Sequence, residues 1–358
     1  MARKITSRPQ SGRTRPESRS GRGGRVVLWG ALTGVALGGL IFLIFRSPKS
    51  PQTTVGQTQG ANWFLNGQTG AVVAADPPES RANSPLKDPN FKLPEEPAEL
   101  LNLGTQLLGQ GWIDDAILIY SKAAKLKPDD EEARFNLAFA YGRAGKTNEA
   151  MQQYSEALRC FPDYVEAHNN LGNLLVGQGK LAEAMEHFSA ALKQSPENAS
   201  TLNNLGKCFA LQGKLPQSVT NFAEALRLDP ASREARSNLF SAQNKWGTSL
   251  ANEGKLQEAI EHYSAALLAV PDQPSGLNNL GRALALQGKT SEAVSNFMQA
   301  VNLKPSFLEA RCNLGYAFLT QGDAARAVIE FKQALQLNPN FQPAIKGLAE
   351  AQKKAEGR

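Results

Sequence analysis

His168, His187 and His262 are the only histidines of this 358-residue chain, and Cys160, Cys208 and Cys312 its only cysteines. Acid–base, nucleophilic and metal chemistry draws on such side chains held at set spacings. No HExxH, phosphate-binding glycine loop, Gly-x-Ser-x-Gly or close cysteine pair occurs. His187 and His262 open the runs His-Phe-Ser-Ala-Ala-Leu and His-Tyr-Ser-Ala-Ala-Leu, so they are equivalent outer positions of a duplicated unit and not a ligand pair. The cysteines read as packing residues, Cys160 and Cys208 buried between neighbours and Cys312 partly open. The chain is therefore expected to be no enzyme and to hold neither metal nor cofactor.

Binding chemistry is better represented. Asn102, Asn136, Asn170, Asn204, Asn279 and Asn313 recur in step along the sequence, with Lys245 in the one missing place. A carboxamide both donates and accepts, so a row of them can pair with the backbone of an extended polypeptide whatever its side chains.

These residues are positioned by a repeating unit. Pro128, Pro162, Pro196, Pro230, Pro271, Pro305 and Pro339 stand 34, 34, 34, 41, 34 and 34 residues apart, the period of a helical-hairpin array. Residues 131–164 carry the marks of each unit at Ala138, Tyr141, Gly145, Ala150, Tyr154, Ala157 and Pro162. Small residues, from Gly104 and Ala138 to Gly315, mark where the first helix of a unit is crossed closely. Large ones, from Tyr120 and Tyr154 to Phe331, fill the second helix. Gly111, Gly145, Gly179, Gly213, Gly254, Gly288 and Gly322 follow the first helix, where a left-handed cap is wanted, and the prolines end the second.

This pattern resembles the tetratricopeptide repeat, in units 97–130, 131–164, 165–198, 199–232, 240–273, 274–307 and 308–341. The resemblance implies an all-α, right-handed superhelical solenoid of seven hairpins, with 342–358 as a polar capping helix. The 41-residue interval adds seven residues near 233–239. Seven residues are almost two turns and keep an apolar stripe within about 20° of its phase, which predicts one long helix starting near Ser232. The competing reading is a break into four repeats and three. In this family the recurring asparagines face a concave groove, similar to the ladder in the repeat domain of O-linked N-acetylglucosamine transferases, although helix packing and solvation would also favour asparagine there. Asn173, Lys207, Lys245 and Arg282 fall on the same groove, the three cations as a site for an acidic group or as solvated charges. The lysine pattern of relatives that clamp chaperone carboxyl termini is absent, because Asn169, Asn203, Asn244 and Asn278 occupy its place.

The net charge of +6 is concentrated in residues 1–25, where eight basic residues face a lone Glu17. Residues 97–358 hold 26 basic and 27 acidic side chains, so the repeats have no excess charge for gripping nucleic acid. Val26 to Phe45 is uncharged for twenty residues, about 30 Å of helix, which matches a bilayer core. The basic tail before it predicts a cytoplasmic amino terminus, with the repeats across a bacterial-type inner membrane. Gly30, Gly34 and Gly38 form a stripe that would let two such helices approach, so a homo-oligomer is one expectation. Residues 46–96 read as a flexible Pro/Ser/Gln-rich linker. Taken together, the sequence predicts a membrane-tethered scaffold that binds proteins through its groove and lipid through residues 26–45 and the tail. The alternatives are a self-associating platform, built through the glycine stripe and repeat stacking, and a regulatory subunit that recruits an enzyme.

Overall fold

A computed structural model describes residues 84–357. The basic tail, the 26–45 segment with Gly30, Gly34 and Gly38, and the linker up to residue 83 lie outside the described residues. Among the described residues no helix is long and apolar enough to cross a membrane.

The described chain is an all-helical solenoid of fifteen α-helices and one short 3-10 turn, with no strand. The seven hairpins are α1 (Pro97–Gly109) with α2 (Ile113–Leu126), α3 (Glu131–Arg143) with α4 (Thr147–Cys160), α5 (Val165–Gly177) with α6 (Leu181–Gln194), α7 (Ala199–Leu211) with α8 (Leu215–Leu228), α9 (Arg233–Asn252) with α10 (Leu256–Ala269), α11 (Pro274–Leu286) with α12 (Thr290–Leu303), and α13 (Leu308–Thr320) with α14 (Ala324–Leu337). A final helix, α15 (Gln342–Ala355), packs on α13 and α14.

Six of the seven hairpins are closed by one aromatic ring laid against a glycine of the first helix, and the second hairpin has Ala138 there. A Cβ on Gly172 would stand 2.6 Å from the Phe188 ring, and one on Gly281 would stand 2.7 Å from Phe297. These rings are almost fully buried, and each buried aromatic contributes about 1.5–3 kcal/mol of transfer free energy. Tight turns join the two helices of a hairpin, as at Gly145, whose φ of 72° is reached cheaply only by glycine. A lone hairpin leaves an apolar face bare, and the next hairpin covers it: Ala133, Ala167, Ala235, Ala310 and Ala344 are each buried on the first helix of a following unit.

The two ends are covered differently. At the carboxyl end, α15 buries Ala344, Gly347 and Ala351 and turns Lys346, Glu350, Lys353 and Lys354 outward. At the other end, residues 84–96 do not behave as linker. Their Pro85–Lys87 turn sets Leu86 against the first hairpin's core, Ser84 bonds Asp115, and Lys122 Nζ donates to the Pro94 carbonyl at 3.2 Å. Composition does not mark this stretch as packed, because Pro, Lys and Asp serve a packed edge and a tether equally.

α9 departs from the other first helices. It runs 20 residues where α1, α3, α5, α7, α11 and α13 each run 13. The Ser232 side chain caps its start by accepting from the Ala235 N–H at 3.2 Å. The helix is continuous through the seven extra residues.

Candidate functional site

The recurring asparagines lie on the first helices, and three of them, with one further asparagine, tie neighbouring hairpins together. Asn204 Nδ2 donates to Asn169 Oδ1 at 3.1 Å, Asn279 to Asn244 at 3.1 Å, and Asn313 to Asn278 at 2.9 Å. The fourth bridge, at 2.9 Å, runs from Asn238 to Asn203. Every one of these pairs is 35 residues apart. Asn204, Asn203 and Asn278 are buried, so their amides serve packing first. Each bridge uses one amide hydrogen and one carbonyl lone pair, which leaves a second N–H on the donor and both N–H groups of the acceptor unspent in it.

Asn238 is the residue that the sequence reading missed. Counting back from Pro271 puts Lys245 in the amide row, whereas counting forward from Asn204 by 34 gives Asn238. The structure follows the second count toward α7 and the first toward α11. Lys245 is exposed and outside the bridges.

The remaining expected residues divide by surroundings. Asn170 Nδ2 donates to the Tyr154 hydroxyl at 3.2 Å, and burial raises that phenol's pKa well above its ordinary value despite this bond. Asn102 and Asn173 are exposed and Asn136 is half-buried. Lys207 Nζ lies 3.2 Å from Glu234 Oε1, so the expected cluster of three cations is reduced: Lys207 is neutralised by the start of α9. Arg282 is exposed and, like Lys245, makes no ion pair among the described residues.

The fourth residue of four hairpins, Arg134, His168, Gln243 and Arg311, is a second point that spacing did not show. Arg134 Nε donates to the Pro128 carbonyl at 3.2 Å, and its Nη1 donates to Gln153 Oε1 at 3.0 Å, which ties a loop to both helices. His168 does the same work. Its Nε2 is 2.9 Å from the Pro162 carbonyl, which can only accept, so Nε2 carries the proton. Its Nδ1 lies 2.8 Å from Nδ1 of His187, so one of the two nitrogens donates to the other. Burial, followed by the neighbouring His168, holds His187 below its ordinary pKa. His262 is likewise lowered by burial; it stacks on Trp246 with ring centroids 3.9 Å apart, and its Nδ1–H donates to Gln243 Oε1 at 2.6 Å.

Cys208 is buried as expected, whereas the expectations for Cys160 and Cys312 are exchanged. Cys312 is buried in the core cluster of the last hairpins, and Cys160 is half-exposed at the end of α4. Burial pushes the thiols of Cys208 and Cys312 up to about 11, so neither is a ready nucleophile. No group of three or more His, Cys, Asp or Glu suited to a metal stands together among the described residues.

Comparison with known proteins places this geometry. Two family models described as tetratricopeptide repeat match residues 169–233 and 308–341, and a third, described as TPR repeat, matches 104–145, 143–179 and 281–322. No curated protein matches the chain. Among solved structures, the carboxyl-terminal part of a repeat-containing protein from Cytophaga hutchinsonii is similar at 17% identity and a TM-score of 0.55, over 69% of this chain and 99% of that one. YrrB, described as a TPR protein with an unusual peptide-binding site, is 19% identical over 54% of this chain and 96% of its own, with a TM-score of 0.42. The first repeat domain of Spaghetti (RPAP3), solved with an HSP90 peptide, is 25% identical over 34% of this chain and 95% of its own, with a TM-score of 0.33.

Proposed function

This chain belongs to the tetratricopeptide-repeat family, and on that premise we propose that it is a non-catalytic adaptor whose first-helix face binds an extended segment of a protein partner. Proteins of this family generally mediate protein–protein interaction. The observation that carries the reading is the line of carboxamides along α5, α7, α9, α11 and α13, bridged in fixed orientation and retaining hydrogen-bonding capacity. A fixed amide loses little freedom when it meets a backbone carbonyl or N–H, so more of the interaction survives as affinity. Asn102, Asn136 and Asn173 extend the polar lining, while Lys245 and Arg282 add charge to its later part.

The uncharged 26–45 segment and the basic tail before it support tethering in a bacterial-type inner membrane, with the repeats on the far side. Tethering would confine the partner's encounter to the membrane surface and raise its effective concentration. A photoreactive residue at Asn173 or Arg282, compared with one at exposed Leu118 on α2, tests the binding face. Capture from the first pair and not from the second is expected. Equal capture from both sets would remove the groove from the account.

A further inference from the structure

The bridges record where the amide line enters and leaves each first helix. On α7 it enters at Asn204, bonded to Asn169, and leaves at Asn203, bonded by Asn238. On α11 it enters at Asn279 and leaves at Asn278. Both helices carry the line back by one residue. On α9 it enters at Asn238 and leaves at Asn244, six residues forward. Relative to its neighbours α9 shifts the line by seven residues, about 10.5 Å at 1.5 Å per residue.

The packing partners repeat the displacement. Arg236, in the first half of α9, holds the Pro230 carbonyl of the preceding loop, and Gln243, seven residues on, holds His262 of the following helix. Phe240 fills the space beside Gly276, where a Cβ would stand 2.9 Å from the ring. The amide line over α5 and α7 and the line over α11 and α13 are thus two tracks, offset along the shared α9. An extended strand advances about 3.3 Å per residue, so the offset is about three residues of a bound segment.

Charge differs between the tracks. On the first, Lys207 is paired with Glu234. Lys245, two turns beyond Asn238 on the same stripe, stands at the step, and Arg282 lies one turn past Asn279; neither makes an ion pair among the described residues.

We propose that the partner is a bipartite extended segment. An uncharged stretch lies along α5, α7 and the start of α9, a jog of about three residues follows at Lys245, and a second stretch brings an acidic side chain to Lys245 and Arg282. This rests on the adaptor reading and adds the partner's chemistry and spacing to it.

The test selects roughly 20-residue peptides from a random display library on the full chain. Selected peptides are expected to share two contact stretches with an acidic residue in the second. Removing about three residues between the stretches should weaken binding about tenfold or more, and replacing the acid by its amide should weaken it severalfold, a loss reproduced by Lys245→Gln with Arg282→Gln. A variant lacking residues 233–239, shown to be folded by its helical circular dichroism, should prefer the shortened peptide. If that variant does not fold, the spacer series on the unaltered chain decides. Peptides that tolerate shortening and charge removal within about threefold overturn the bipartite reading, and leave the adaptor reading intact if they label from Asn173 but not Leu118. Absence of any peptide bound to this face overturns both.

Discussion

Arg236 and Gln243, seven residues apart on α9, divide between them two hydrogen bonds that Arg134 makes alone. Arg236 Nη2 donates to the Pro230 carbonyl at 2.5 Å, and Gln243 Oε1 accepts from His262 at 2.6 Å. Arg134 holds both the Pro128 carbonyl and Gln153, and Arg311 both the Pro305 carbonyl and Glu330. A helix lengthened by two turns presents two registers, and here the preceding loop takes one while the following helix takes the other.

Asn238→Ala is therefore expected to destabilise the protein, by about 0.5–1.5 kcal/mol for the lost bond, whereas Lys245→Ala should change stability by less than about 0.5 kcal/mol. Urea unfolding of the two variants checks this. In a double-mutant cycle, Asn203→Ala with Asn238→Ala should show coupling and Asn203→Ala with Lys245→Ala none. The reverse order would mean that the amide line runs through Lys245.

Phe331 is gripped from two sides. A Cβ on Gly315 would stand 2.8 Å from its ring, and one on Gly347 closer still. The ring is fully buried, so it has no free direction in which to yield. Gly315→Ala and Gly347→Ala should each cost about 1–3 kcal/mol, read as a lower denaturation midpoint, with Gly347→Ala loosening α15 first. By contrast Gly177→Ala meets nothing within 4 Å and should be neutral or slightly stabilising.

Stability should fall as the solution is acidified through the histidine range. His187 and His262 are held below their ordinary value of 6.5 by burial, so they are neutral in the fold while the unfolded chain takes up protons first. Their contribution is present above pH 6.5 and is lost as the pH falls toward their folded values. His187→Gln keeps a hydrogen-bond partner for His168 Nδ1 and should flatten this part of the profile. A midpoint that drops equally in wild type and in His187→Gln, His262→Gln would place the sensitivity elsewhere.

Asp130 caps α3, accepting from the Ala133 N–H at 3.0 Å and from Lys127 at 2.8 Å. Burial pushes its carboxyl up, but the bonds from Lys127 and Ala133 outweigh this and hold it below its usual value. Asp130→Ala should cost about 0.5–2 kcal/mol, and Asp130→Asn less, because the amide oxygen still caps. Thermal unfolding at neutral pH separates the two.

Deleting residues 84–96 should leave α9–α15 protected from hydrogen exchange while α1 and α2 exchange faster. Leu86 would no longer cover the first hairpin's core, and Asp115 and Lys122 would lose Ser84 and Pro94. Unchanged exchange in α1 would show that the segment merely lies on the surface.

Much of the fold is legible in the sequence because its signals are local. A glycine after the first helix, a proline after the second, and a small residue opposite a ring all act within one hairpin. The site is less legible because its contacts lie between hairpins. Asn169, Asn203, Asn244 and Asn278 are visible as asparagines, but their bonds to residues 35 positions on appear only once the helices are stacked. Counting from prolines assigns α9 a single register, and only packing reveals that it keeps two. The His168–His187 pair is hidden in the sequence because repeat spacing relates equivalent positions, such as His187 and His262, whereas these partners sit 19 residues apart across one hairpin.

The outward charges of α15 change what the last hairpin shows to solvent. A stack of like modules with bare ends would go on growing by adding copies of itself, as a filament does. Here the last apolar surface is met by a helix whose far side carries Lys346, Glu350, Lys353 and Lys354, a side to which water binds more readily than another hairpin would. The described end of the stack is thus a wet surface, not a dry seam.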